Sequence, residues 1–420
     1  MTDLLADLTS RDLVAMTTDA DALRAALAEA PVTFYCGFDP TGPSLHVGHL
    51  LQVITMRRLQ QAGHRPIALV GGATGLIGDP KPGGERSWLD RTQAEDNVIR
   101  IRGQLEHFLD FGTGPTAAVL VNNLDWTEPM DVVTFLRDIG KHFSVNRMLD
   151  RDAVRSRLEG SGISYTEFSY VLLQSMDYLE LFRRHGCTLQ IGGSDQWGNI
   201  TAGCELVRRV DGATVHALTT QLLTKADGTK FGKTESGTVW LDPTMTSPYA
   251  FYQFWFNTDD RDVVAFLKIF SARSTDEIAE LADQVSREPA SRGAQRALAE
   301  ELTALVHGER AVEQAVAAAQ ALFGRGSIHD LDETTLASAL QEAGVTPVGS
   351  VDGETVVDLL AASGLVASKS AARRAIDEGG AYLNNERISD PDAVPREQDW
   401  LHGRFLLLRK GKRSIAGIAR

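Results

Sequence analysis

Apolar and polar positions in the first half of the chain alternate between two periods. Residues 32–38 are β-branched and aromatic, the pattern of a buried strand, and Asp39-Pro-Thr-Gly-Pro-Ser44 ends it. Residues 45–61 place Leu50, Leu51, Ile54 and Leu59 on one broad face, the spacing of a helix. Residues 66–70 read as a second buried strand closed by Gly71-Gly72, and 188–191 as a third closed by Gly192-Gly193. Strand, turn, helix and strand in that order predict a parallel sheet and an α/β fold. The glycine turns then fall at the carboxyl ends of strands, where open α/β sheets bind ligands.

From residue 247 to 323 strand signals stop. Residues 278–285, 297–306 and 311–323 have helical periodicity and abundant alanine, which predicts a separate all-α domain. Gly324-Arg-Gly-Ser327 opens a looser stretch, 324–352, that reads as a linker. In 353–420, residues 356–360 and 368–376 read as helices, Gly379-Gly380 stops them, and 382–388 read as a hairpin around Asn384-Asn385.

A chain of 420 residues suggests two or three domains at about 150 residues each. The net charge of -14 excludes a bulk nucleic-acid coat protein or a polybasic membrane binder, but not a local basic patch. Residues 353–420 are such a patch: from Leu401 onward they carry basic residues and no acid. Cys36, Cys187 and Cys204 are too far apart for a disulfide framework or zinc spacing, so a cytoplasmic location is expected. The first seven residues hold no basic residue, so no signal peptide is expected. The longest apolar stretch, 67–77, contains Gly71, Gly72 and Gly75 and falls short of the ~20 residues that span a bilayer, so no membrane partner is expected.

Two motifs carry chemistry. In Gly37-Phe-Asp39-Pro-Thr41-Gly-Pro-Ser-Leu-His46-Val-Gly48-His49, two histidines open a helix just after a strand. A helix start offers partial positive charge and N–H donors, and Gly48 lets a flat ring approach the backbone, so the segment reads as a nucleotide and phosphate site. Lys225-Ala-Asp-Gly-Thr-Lys230-Phe-Gly-Lys233-Thr234 is a polar loop whose lysines suit polyphosphate, although a solvated loop is the usual fate of such a run taken alone.

Together the motifs resemble the HIGH and KMSKS signatures of class I aminoacyl-tRNA synthetases, read here as His46-Val-Gly-His49 and Lys230-Phe-Gly-Lys233-Thr234. Four further segments resemble the bacterial tyrosyl-tRNA synthetase branch in order and spacing. They are Tyr35-Cys-Gly-Phe-Asp-Pro-Thr41, Gly71-Gly-Ala-Thr-Gly-Leu-Ile-Gly-Asp79, Phe168-Ser-Tyr170-Val-Leu-Leu-Gln174-Ser-Met-Asp177 and Gln190-Ile-Gly-Gly193-Ser-Asp195-Gln196-Trp197. The resemblance implies a Rossmann-like parallel-sheet catalytic domain over 1–242, with a dimer-interface insertion at about 97–149. A helical anticodon-recognition domain follows over 243–323, then the linker and a small α+β RNA-binding module over 353–420.

The resemblance also implies roles. Tyr35 and an ionised Asp177 would bind the phenol of tyrosine, and Asp79, Tyr170 and Gln174 its ammonium. Gly37, Asp39, Gly48, Gly193, Asp195 and Gln196 would line the ATP and adenylate site. Thr41 and His46 would meet the γ-phosphate, His49 the ribose, and Lys230, Lys233 and Thr234 the departing pyrophosphate. Arg86 would keep a phosphate contact; Lys81 is assigned nothing, because the family's lysine lies deeper in that loop. Lys369, Arg373, Arg374, Arg404, Arg409, Lys410, Lys412 and Arg413 would touch tRNA. The implied reaction is tyrosine activation by ATP, with Mg²⁺ arriving on the nucleotide, then transfer to the 3′ end of the cognate tRNA by a homodimer. No tightly bound cofactor and no carboxylate cage for a metal are expected. A nucleotidylyltransferase shares the His-x-Gly-His helix start but has no need of the lysine loop, the helical domain or an RNA module. A synthetase-derived RNA-binding protein without activity would be expected to lose His46, His49, Lys230 or Lys233, and all four are present.

Overall fold

The computed structural model describes residues 3–80, 90–229, 231–234, 237–347, 353–411 and 414–420. Two compact units divide the chain, Met1–Leu241 with Val264–Ile278 and Asp242–Val263 with Ala279–Arg420.

The first unit is built on a six-stranded sheet. Its strands are β1 (Met16–Thr17), β2 (Thr33–Phe38), β3 (Arg65–Val70), β4 (Val119–Asn122), β5 (Cys187–Gly193) and β6 (His216–Thr220), in the order β1-β6-β5-β2-β3-β4. β2 to β6 are parallel and β1 is antiparallel to β6. The chain leaves β2 toward β3 and β4, then returns to lay β5 and β6 on the other side. The switch point therefore lies between the carboxyl ends of β2 and β5, where open parallel sheets take their ligands. Helices α1 (Val47–Gln61), α2 (Arg91–Phe108), α3 (Tyr165–His185) and α4 (Trp197–Asp211) belong to this unit. α1 buries Leu50, Leu51, Ile54 and Leu59, the face its periodicity predicts.

Two expectations change here. Residues 97–149 are not wholly an insertion: β4 pairs with β3, because Val119-Leu-Val121 is apolar enough to extend the sheet. α2 also serves the first motif, since Asn97 Nδ2 donates to Pro40 O at 3.0 Å and Gln104 Oε1 accepts from Leu45 N at 2.8 Å. Nor does this unit end at residue 242. Phe231 stacks on Phe270 with centroids 5.7 Å apart, and the Arg11 guanidinium donates to Arg273 O at 3.0 Å.

The second unit starts with helices α5 (Pro248–Phe256), α6 (Gly293–His307), α7 (Glu309–Ala321) and α8 (Glu333–Glu342), which bury Trp255, Phe251, Leu298, Leu302, Leu336 and Leu340. Next come β9 (Val345–Pro347), α9 (Val356–Ala362), α10 (Lys369–Asp377), β10 (Ala381–Leu383), β11 (Glu386–Arg387), β12 (Phe405–Lys410) and β13 (Ser414–Ala419). Their sheet has the order β11-β10-β12-β13-β9. Asn384 and Asn385 both take positive φ, 49° and 71°, as a two-residue hairpin turn requires. The reading of 324–352 as a linker is corrected: α8 packs its buried Leu336, Ala339 and Leu340 inward, and β9 pairs parallel with β13. β9 was hidden because a three-residue strand has no readable period. Among the described residues no helix is long and apolar enough to cross a membrane.

Candidate active site

α3 carries Tyr170, Gln174 and Asp177 at i, i+4 and i+7, so they share one helix face. Tyr35 rises from the middle of β2 and is fully buried, its ring edge-on to Tyr178 at 5.2 Å. Among the described residues, the Tyr35 hydroxyl and Gln174 Oε1 are buried without a hydrogen-bond partner. Asp177 accepts from Trp126 Nε1 at 2.8 Å and from Asn123 Nδ2 at 3.0 Å. Burial nevertheless pushes its carboxyl up to about 7, against the pull of those two donors. Burial thus opposes the ionised form expected of Asp177, while the N–H groups of Trp126 and Asn123 favour it.

Asn123 and Trp126 follow the carboxyl end of β4 and carry no expectation from sequence. Asn122-Asn123 at a strand end would have been the signal, had β4 been recognised. From Asn123 a buried chain runs across the switch point. Asn123 Nδ2 donates to Thr74 Oγ1 at 3.1 Å, and Thr74 Oγ1 to Asp39 Oδ1 at 2.7 Å. Tyr170 Oη donates to Asp39 Oδ2 at 2.8 Å, which leaves its lone pairs to accept. Gly71 makes room for this: a Cβ there would lie 2.2 Å from Asp39 Oδ1. Asp79 accepts from Gln196 Nε2 at 2.8 Å and Asn199 Nδ2 at 3.2 Å; burial, more than any neighbour, raises its carboxyl above the ordinary range. Gly37, Thr41 and Asp195 are exposed, and Gly193 admits Asp195, whose Oδ1 would lie 2.4 Å from a Cβ at that position.

His46 caps α1. Its Nδ1 accepts from Gly48 N at 3.0 Å, while His49 Nδ1 accepts from His46 N at 3.2 Å. Both rings thus accept at Nδ1, so in the neutral form each carries its proton on Nε2, the donor that a phosphate or hydroxyl oxygen needs. The rings stack at 3.9 Å. The flat ring that Gly48 admits is that of His46: a Cβ on Gly48 would lie 2.8 Å from its Cε1. The lysine loop returns to the same helix start. β7 (Lys233–Thr234) pairs with β8 (Gly237–Thr238), Gly232 takes φ +77°, and a Cβ on it would meet Val47 Cγ2 at 2.7 Å. Val47 N in turn donates to Val239 O at 3.0 Å. Lys230, Lys81 and Arg86 lie outside the described residues, as do Lys412 and Arg413.

Among the described basic residues expected to touch tRNA, three are paired with acids. Lys369 pairs with Asp358 at 2.7 Å, Arg373 with Asp392 at 3.0 Å and Arg404 with Glu333 at 2.7 Å. Arg374 and Lys410 are exposed. Arg409 is corrected as a surface contact: it is buried, 3.8 Å from the Tyr382 ring centroid, and donates to Gly411 O at 2.8 Å. Cross-strand stacking against Tyr382, its register partner, holds it there.

A parallel sheet with paired histidines capping a helix at its switch point, and a lysine loop folded onto that helix start, defines a class I aminoacyl-tRNA synthetase. Residues 27–324 match the family of tRNA synthetases class I (W and Y), and residues 339–416 match the tyrosine–tRNA ligase SYY-like C-terminal domain. The tyrosine–tRNA ligase of Streptomyces coelicolor is 61% identical over 100% of this chain and 99% of its own length, and that of Thermobifida fusca 59% identical over 100% and 99%. Among solved structures, a C-terminally truncated Coccidioides posadasii mitochondrial tyrosyl-tRNA synthetase is 33% identical, with a TM-score of 0.66 over 75% of this chain and 91% of that one. The chain belongs to the tyrosine–tRNA ligases. It uses ATP to activate tyrosine to tyrosyl-adenylate and joins the amino acid to tRNA.

Proposed function

We propose that the cleft at the ends of β2 and β5 binds tyrosine by both ends and activates it without a general base. The observation that carries this is the pair of buried, unpartnered polar atoms, Tyr35 Oη and Gln174 Oε1, beside the buried Asp177. Such groups cost about 1–3 kcal/mol each unless a ligand satisfies them. Tyr35 donates to the phenol oxygen and Asp177 accepts the phenol proton. Gln174, Tyr170 and Asp79 accept from the ammonium. The substrate carboxylate is already a nucleophile, so it attacks the α-phosphate of Mg²⁺-bound ATP and pyrophosphate departs. His46 and Thr41 donate to the γ-phosphate, His49 and Asp195 hold the ribose, and Lys230, Lys233 and Thr234 close over the leaving group. Asp39, Gly37, Gly48, Gly193 and Gln196 shape the nucleotide side. ATP–pyrophosphate exchange tests the pocket: Tyr35→Phe lowers the tyrosine-over-phenylalanine ratio of kcat/KM by roughly tenfold. An unchanged ratio would place the phenol elsewhere.

The working enzyme is a cytoplasmic homodimer. Val132 (72% exposed), Val133, Leu136, Val145 and Leu158, between β4 and α3, and Tyr165, which opens α3, expose apolar side chains that water does not favour. A Val133→Glu, Val145→Glu double variant sediments as a monomer; a variant that stays dimeric moves the interface away from these side chains.

A further inference from the structure

Asp79 stands among acids. Asp39 and Asp195 both oppose its ionisation, in addition to burial. Two amides hold it. Gln196 Nε2 donates to Oδ2 at 2.8 Å, and Asn199 Nδ2 donates to Oδ1 at 3.2 Å. Asn199 Nδ2 also donates to Gln196 Oε1 at 3.0 Å, so this one amide sets the orientation of both neighbours. Its other end is held in turn. Arg151 Nη1 donates to Asn199 Oδ1 at 2.7 Å, and Arg151 Nη2 donates to Gly198 O at the start of α4. Arg151 reaches α4 from a separate segment, between the helices Val145–Leu149 and Asp152–Leu158.

The chemistry of this arrangement is directional. An asparagine amide has a donor end and an acceptor end, and half a turn exchanges them. The guanidinium donates only. It therefore fixes Oδ1 toward Arg151 and Nδ2 toward the carboxylate. Without it, Asn199 can present an oxygen to Asp79, acceptor against acceptor. Arg151 also sets a cation facing Asp79, against the repulsion of Asp39 and Asp195.

We infer that Arg151 and Asn199 are positioning residues for tyrosine activation: Arg151 locks the Asn199 amide, and Asn199 aims the Asp79 carboxylate at the substrate ammonium. This rests on the reading of Asp79 as an ammonium acceptor. Neither residue touches the substrate. Their effect is confined to its amino end.

The test compares two ligands of the full-length protein, tyrosine and 3-(4-hydroxyphenyl)propanoate, which keeps the phenol and the carboxylate but has no ammonium. Asn199→Ala and Arg151→Met weaken tyrosine binding roughly tenfold, close to the loss of one charge-assisted hydrogen bond. Both leave the affinity for the propanoate unchanged, and Arg151→Lys, which keeps a donor and a charge, restores most of the tyrosine affinity. Equal weakening of both ligands would mean that the pair only supports the fold, and overturns the inference. So would normal tyrosine binding in both variants alongside weak binding in Asp79→Asn, which leaves the reading of Asp79 standing. If Asp79→Asn itself does not diminish the preference for tyrosine over the propanoate, Asp79 is not the ammonium acceptor, and both fall.

Discussion

Asp177 combines two opposed demands. Burial pushes its carboxyl up to about 7, while the N–H groups of Trp126 and Asn123 favour the anion. The anion is the stronger acceptor for the phenol of tyrosine, so kcat/KM for tyrosine rises as pH climbs through the titration of the free enzyme. Removing the Asn123 donor leaves burial less opposed and raises the carboxyl further. Asn123→Ala therefore moves the acid limb of the kcat/KM profile to higher pH by about one pH unit, and activity at pH 9 recovers toward that of the parent. A limb that stays in place would show that Asn123 does not act through Asp177. Tyr35 and Asp177 were legible in the sequence as motif positions. Asn123 and Trp126 were not, since nothing along the chain says that the end of β4 meets α3.

At the scale of elements, the start of α1 is the most constrained piece of the site. Gly48 sits in its first turn with negative φ, so alanine fits the backbone and favours the helix by up to ~1 kcal/mol. The added Cβ, however, would lie 2.8 Å from Cε1 and 2.9 Å from Nδ1 of His46. The ring must move, and the Gly48 N to His46 Nδ1 bond goes with it. The lost cap offsets the helix gain, so Gly48→Ala changes Tm little yet slows adenylate formation by roughly one to two orders of magnitude, as expected when donors leave a preorganised site. A normal single-turnover activation rate would detach the His46 ring from the chemistry. The helix and its two histidines were readable from spacing alone. That His46 itself fills the space above Gly48 required the cap geometry.

Across the whole molecule, the position of β9 changes where the chain can be divided. A cut at residue 353 would strand β9, whose register partners are Gly417, Ile418 and Ala419. A cut after Gly344 lets β9 leave together with β13 and keeps α8 with α5 and α7, on which it packs. The motifs of the activation step all precede residue 235. A chain ending at Gly344 should therefore exchange pyrophosphate with tyrosine at the parent rate but charge tRNA poorly. Because Lys410, Arg374 and the paired Lys369, Arg373 and Arg404 leave with the module, the salt dependence of tRNA binding should also flatten. Parent-like charging by this chain would assign the module to something other than tRNA.

The sequence by itself determined the parts whose cause is local. Buried strands at 32–38, 66–70 and 188–191 and the helix opened by His46 follow from side-chain period and turn chemistry within a few residues. The tertiary structure alone decided which distant groups share protons and charge. Asn123 and Asp177 are 54 positions apart, Asp39 and Tyr170 131, Arg151 and Asn199 48. Such pairs depend on the order of strands in the sheet. The same holds for Arg409, which reads as a surface cation and is drawn onto Tyr382, and for β9, too short to show a period until β13 supplied its partner. A hydrogen bond or a strand pairing needs both partners in place, and the chain brings them together only when the sheet has closed around the switch point.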